Sequence, residues 1–176
     1  ETLSLSHDLG HTPFGHAGEN ILNECMESYG GFDHNIQTLR IVNVLENKYY
    51  NFKGLNLSIE TIDGLVKHNG PVKNLTKLNK ILGKNFFKNK INYNTNASLE
   101  AQIASISDDI AYNSHDLEDG LRANLYTIDD LKNIPILSKI INRHKKFIMR
   151  KGTELVIRQI IRDTVNEMVN DIIINI

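Results

Sequence analysis

The sequence has no tryptophan, a single cysteine and three prolines in 176 residues. A lone thiol, Cys25, closes no internal disulfide and has no second thiol with which to share a metal, so a disulfide scaffold and a zinc knuckle are both excluded. A reducing, cytoplasmic setting is the expectation. No apolar run approaches the roughly twenty residues that cross a bilayer, and the first residues lack the basic-then-apolar order of a signal peptide. The formal net charge is only -1, so there is no global pull toward nucleic acid or membranes, and any anion must be held by local arrangement. Alternating strand patterns, internal repeats and Pro/Ser-rich linkers are also missing. What remains, 40% hydrophobic and 23% charged, is the make-up of an ordinary globular core. The expectation is one domain over 1–176, all-α. Both ends, Glu1 without a methionine and the apolar IIINI, read as cut from something longer.

Helical periodicity carries the all-α expectation. Ile21, Leu22, Cys25 and Met26 form one apolar stripe of a helix from Ala17 to about Tyr29, ended by Gly30-Gly31. Asp33 is placed to cap a second helix burying Ile36, Leu39, Ile41, Val42 and Leu45. Residues 48–57 read as loop. Ser58 opens a short helix stopped by Gly70-Pro71, and Leu75, Leu78 and Leu82 fit one or two further turns. The strongest helix starts at Ser98 and carries Ile103, Ile106, Ile110 and Tyr112; Gly120 is expected to break or bend it. Thr127 to Asp130 reads as another N-cap, and Pro135 starts a segment with Ile136, Leu137, Ile140 and Ile141. Leu155, Val156, Ile160, Val165 and Met168 mark a last long helix.

Against this background, SHDLGHTPFGHAGEN, residues 6–20, crowds three histidines, an aspartate and a glutamate among helix breakers. The adjacent His7 and Asp8 can offer a nitrogen and an oxygen to one divalent ion, a donor mix that suits Mn, Fe, Zn, Ni or Co better than Mg, without excluding Mg. The plainer alternative is a dipeptide that caps a helix end in water. Downstream, Asp108, Tyr112, His115 and Asp116 recur at helical spacing, so one face can present an acid, a phenol and a second acid. A solvated acidic face is the competing account.

Four stretches, SHDLGHTPFGHAGE, GFDHNIQTLRIV, KHNGP and SLEAQIASISDDIAYNSHDLEDG, together resemble the HD-domain deoxynucleoside triphosphate triphosphohydrolases, the dGTPase-like proteins of bacteria. The resemblance runs from Ser4 to about Ala123 and resumes in the final helix. It implies an HD-type helical bundle and hydrolysis of a deoxynucleoside triphosphate at the α-phosphorus, giving a deoxynucleoside and tripolyphosphate. It also implies one divalent metal ion (Mn, Mg, Fe, Ni, Co or Zn) on His7, Asp8 and Asp108, with Asp109 the rival for the distant ligand. A further metal histidine is implied upstream of Glu1. By the same resemblance His16, Glu19 and His34 form the catalytic acid–base group, His11 contacts phosphate, and Tyr112 and Asp116 hold the sugar. Lys67, His68 and Asn69 lie in a family-like stretch without an individual role.

Two competing functions keep parts of this picture. One is an HD phosphohydrolase acting on nucleoside monophosphates or cyclic phosphodiesters; the other is a catalytically inactive remnant or regulatory nucleotide-binding module. The basic run from Arg143 to Lys151 reads mostly as a solvated face, with a nucleotide or single-stranded DNA effector as its functional alternative. The full-length protein is expected to be a homo-oligomer with no membrane association.

Overall fold

The computed structural model describes residues 1–73, 75–83, 87, 90–148 and 153–176. It is 67% helical, with no strand among the described residues, as the periodicity predicts. Two compact units divide the chain, 1–105 and 106–176, and the division falls inside a continuous helix rather than at a linker.

The first unit contains α1 (Thr2–Ser6), α2 (Gly15–Cys25), α3 (His34–Arg40), α4 (Ile59–Val66), α5 (Leu75–Leu82) and the start of α6 (Leu99–Arg122). The starts follow from local chemistry. The Asp33 carboxylate accepts the Ile36 N–H at 3.1 Å to cap α3, and the Ser58 hydroxyl accepts the Thr61 N–H at 3.3 Å to cap α4. The core joins Ile36, Leu39, Val42, Ile62, Leu65 and Leu78. Leu45, expected in that stripe, is half exposed, because α3 runs into a π turn (Ile41–Leu45) whose wider spacing rotates it off the buried face. Ala101 of α6 is buried beside Gly64 of α4, where an added β-carbon would stand 3.1 Å from the Ala101 methyl.

The second unit holds the rest of α6, a 3-10 turn (Asp130–Asn133), α7 (Pro135–Ile148) and α8 (Thr153–Asn175). Leu121, Leu131, Leu137, Ile140, Ile141 and the α8 stripe Val156, Ile157, Ile160 and Ile161 form its core. The expected α8 register shifts accordingly, and Leu155 is exposed. Gly120 does not break α6, which continues to Arg122. A β-carbon there would stand 2.2 Å from the Tyr126 hydroxyl, which donates instead to the Asp116 and Leu117 carbonyls at 3.2 Å each. The glycine is therefore a seat for Tyr126.

Two members of the basic run are tied to α8. Arg143 donates to Glu167 at 2.5 Å, and His144 Nε2 lies 2.7 Å from Asp163 Oδ2, whose other oxygen accepts from Gln159 at 2.8 Å. Arg150 and Lys151 lie outside the described residues. The His144 hydrogen bond, helped by Gln159 and Arg143, holds the Asp163 carboxyl below the ordinary aspartate range despite some desolvation. A depressed folded pKa means that this carboxylate stabilises the unit above the ordinary aspartate range and ceases to do so as pH falls through the depressed value. Acid unfolding followed by circular dichroism should show the wild type losing stability in that window; Asp163→Asn should be less stable at neutral pH and lose less on acidification.

Candidate active site

Local geometry first builds a pinned turn. His7 is the C-cap of α1, and its backbone carbonyl accepts the Thr38 hydroxyl at 2.8 Å, while the same hydroxyl accepts the Gly10 N–H at 2.9 Å. Thr38 is 1% exposed, so both bonds are shielded from water. Gly10 is required by close approach: a β-carbon there would lie 2.3 Å from the His34 carbonyl oxygen and 2.4 Å from the Thr38 nitrogen. The turn between α1 and α2 is thereby pressed onto the head of α3, and the histidines of two distant segments meet.

Glu19, on the first turns of α2, is the hub of one group. Its carboxylate accepts the His34 backbone N–H at 2.9 Å and His34 Nδ1–H at 2.9 and 3.0 Å, with His16 Nδ1 at a longer 3.5 Å. Burial pushes the Glu19 carboxyl up, but the His34 backbone donor, the His34 ring and the His16 ring together bring it below the ordinary glutamate range. An ionised Glu19 only accepts, so the His34 proton facing it sits on Nδ1. The same reasoning applies to His11, whose Nδ1 faces the Thr12 carbonyl at 3.1 Å. Ring centroids of His11 and His34 are 5.1 Å apart, His11 and His16 5.8 Å, and His16 and His34 6.0 Å. In their neutral forms His11 and His34 turn Nε2 away from those tethers, while His16 stands largely exposed at the mouth.

A second group forms around His7. Its Nδ1 faces the Leu3 and Ser4 carbonyls at 3.3 and 3.1 Å, which places the ring proton there and the lone pair on Nε2. Asp8 Oδ2 lies 3.4 Å from that Nε2, and the His68 ring stands 4.6 Å away, centroid to centroid. Two imidazoles at this distance can hold a metal ion. His68 comes from the turn after α4. Beside it the buried Lys67 ammonium is neutralised by Asp63 at 2.7 Å and donates to Thr95 at 3.0 Å, a structural ion pair. Sequence reasoning gave His68 no role, since its partner is 61 positions away and no local pattern joins them. The only signal is its presence in the KHNGP stretch.

Asp108, Tyr112 and Asp116 succeed one another at four-residue steps on the part of α6 that belongs to the second unit, so they share a face. Tyr112 is 57% exposed, and Asp116 is exposed. Asp109 is exposed, and its carbonyl accepts from Asn113 at 2.7 Å.

The fold and these groups define an all-helical protein with histidine- and carboxylate-lined sites. No protein-family model matches the chain. Among curated proteins it is 59% identical over 169 residues to a deoxyguanosinetriphosphate triphosphohydrolase-like protein of Pelagibacter ubique, covering 96% of this chain and 46% of that protein. Like-named proteins of Parvibaculum lavamentivorans and a Bradyrhizobium are 47% and 52% identical over 98% and 89% of the chain, covering 45% and 41% of their own lengths. The chain belongs to this deoxyguanosinetriphosphate triphosphohydrolase-like family. It spans a little under half the length of these relatives. No helix is long and apolar enough to cross a membrane among the described residues.

Proposed function

We propose that the chain carries the catalytic histidine group of a metal-dependent deoxynucleoside triphosphate triphosphohydrolase, acting on dGTP or a similar nucleotide in the cytoplasm. The observation that carries this reading is the anchoring of His34 and His16 on one ionised carboxylate, Glu19, with His11 packed beside them. Such a set can hold three imidazoles in fixed orientation around an anionic leaving group. His16, exposed at the mouth, is assigned the proton at Nε2, which it passes to the departing group as charge builds there. His34 and Glu19 hold His16 and His11 in place, and His11, doubly protonated, keeps Nδ1–H on the Thr12 carbonyl and donates Nε2–H to a phosphate oxygen.

The donor chemistry around His7 fits a divalent metal. A ring held by Nδ1, an adjacent carboxylate and a second imidazole are a mixed nitrogen and oxygen set, suited to Mn, Fe, Co, Ni or Zn and tolerant of Mg. We assign His7, Asp8 and His68 as residues that hold it, with Asp108 the further ligand that the resemblance implies. The support for Asp108 is the resemblance of its own stretch, SLEAQIASISDDIAYNSHDLEDG, to the family. Such an ion, when bound, polarises a phosphate oxygen and lowers the pKa of the attacking water. Tyr112 and Asp116, on that face, are assigned to the deoxyribose.

Incubation with dGTP and Mn²⁺, with products separated by anion exchange, tests the reading. Deoxyguanosine and tripolyphosphate are the expected products. Release of orthophosphate or pyrophosphate instead, or no measurable binding of Mn²⁺, would overturn it.

A further inference from the structure

One cavity of the first unit has no part in the chemistry above. It measures about 300 Å³ and lies between the head of α3, the turn after α4, and α5, with Asp33, Asn35, Asn69 and Lys77 among its polar lining and the buried Leu39 and Leu78 among its apolar lining. Its position follows from the chain. His34 stands between Asp33 and Asn35, and His68 immediately precedes Asn69, so the two segments that present imidazoles to the candidate site present their neighbours to the cavity. A volume at the lower end of ligand pockets suits a ring system rather than a whole nucleotide.

Its charges point the same way. Asp33 and Lys77 face each other at 3.6 Å, and both are already engaged. The Asp33 carboxylate caps α3, and the Lys77 ammonium donates to the Phe32 carbonyl at 2.6 Å. The pair leaves the lining without net charge, which is poor chemistry for a triphosphate and suitable for a neutral heterocycle. Neither Asn35 nor Asn69 makes a side-chain hydrogen bond to another described residue. A carboxamide presents a donor and an acceptor side by side, the pattern that pairs with the edge of a nucleobase.

Resting on the function proposed above, we propose that this cavity takes the nucleobase of the substrate, with the Asn35 and Asn69 carboxamides reading its edge and thereby setting base preference. The test titrates the protein by NMR with each of the four deoxynucleosides and, separately, with tripolyphosphate plus Mn²⁺. The wild type is expected to bind both ligands and to rank the nucleosides by base. Asn35→Ala and Asn69→Ala should weaken the preferred nucleoside about tenfold, equivalent to roughly 1.4 kcal/mol, and flatten the ranking while leaving tripolyphosphate binding unchanged. Asn69→Asp, which keeps shape but removes the donors, should shift preference toward bases presenting an amino group. An unchanged ranking in all three variants, or wild-type binding of tripolyphosphate without any nucleoside, overturns the cavity assignment and leaves the hydrolase reading standing. Failure of the wild type to bind either ligand overturns the hydrolase reading as well.

Discussion

Replacing Gly10 with alanine is expected to destabilise the first unit by about 3 kcal/mol, the upper range for overpacking. That corresponds to roughly 6–12 °C in melting temperature at this chain length. The effect is large because the atoms the new methyl would meet, the His34 carbonyl at 2.3 Å and the Thr38 nitrogen at 2.4 Å, are backbone atoms of α3 and cannot rotate away. Either α3 retreats or the turn after α1 lifts off, and both movements separate the His7 segment from the His34 segment. Thr38→Val is the control. It removes the two bonds to Gly10 and His7 without a steric push, and should cost less, about 1–3 kcal/mol. Differential scanning calorimetry distinguishes the cases; a Gly10→Ala protein melting with the wild type would show that the turn can be displaced without consequence.

Glu19→Gln is expected to have the largest effect on turnover. The amide keeps the size of the carboxylate but loses the charge that anchors the His34 backbone N–H, the His34 ring and the His16 ring. One amide oxygen cannot serve all three donors, so His16 loses its orientation first, being held at only 3.5 Å. A fall in kcat of about 10²–10⁴, the range for a positioned acid–base group, should accompany a smaller change in KM. The pH profile gives a second readout. Because the Glu19 pKa is depressed, the carboxylate stays ionised down to values below the ordinary glutamate range, so the acid limb of activity should not report its protonation near neutrality. Glu19→Asp, which restores charge on a shorter arm, should recover part of the activity; equal loss in Gln and Asp variants would point to packing rather than charge.

The features legible in the sequence are those fixed by neighbours along the chain. Asp33 and Ser58 cap helices because a short acceptor three residues ahead of a free N–H is a local arrangement. His16 and Glu19 pair for the same reason, one helical turn apart. Features that depend on a distant segment were hidden. His68 meets His7 only after α4 folds back on α1, and Gly120 reads as a breaker until Tyr126 is seen to occupy its open side. In α8, apolar residues lie on more than one face, so periodicity offers several stripes and only packing against α7 selects Val156, Ile157, Ile160 and Ile161. Leu45 drops from its stripe through a backbone event, the π turn, that side-chain spacing does not register.

The lone cysteine has an experimental use. Cys25 is exposed and is the last residue of α2, the helix whose first turns carry His16 and Glu19. At about 1.5 Å per residue it stands roughly 14 Å along the axis from His16. With no other thiol in the sequence to compete, a spin label or fluorophore attached there is a single-site reporter on the helix that carries His16 and Glu19. Titration with dGTP or Mn²⁺ can thus be read from the label's signal, without introducing or removing a cysteine.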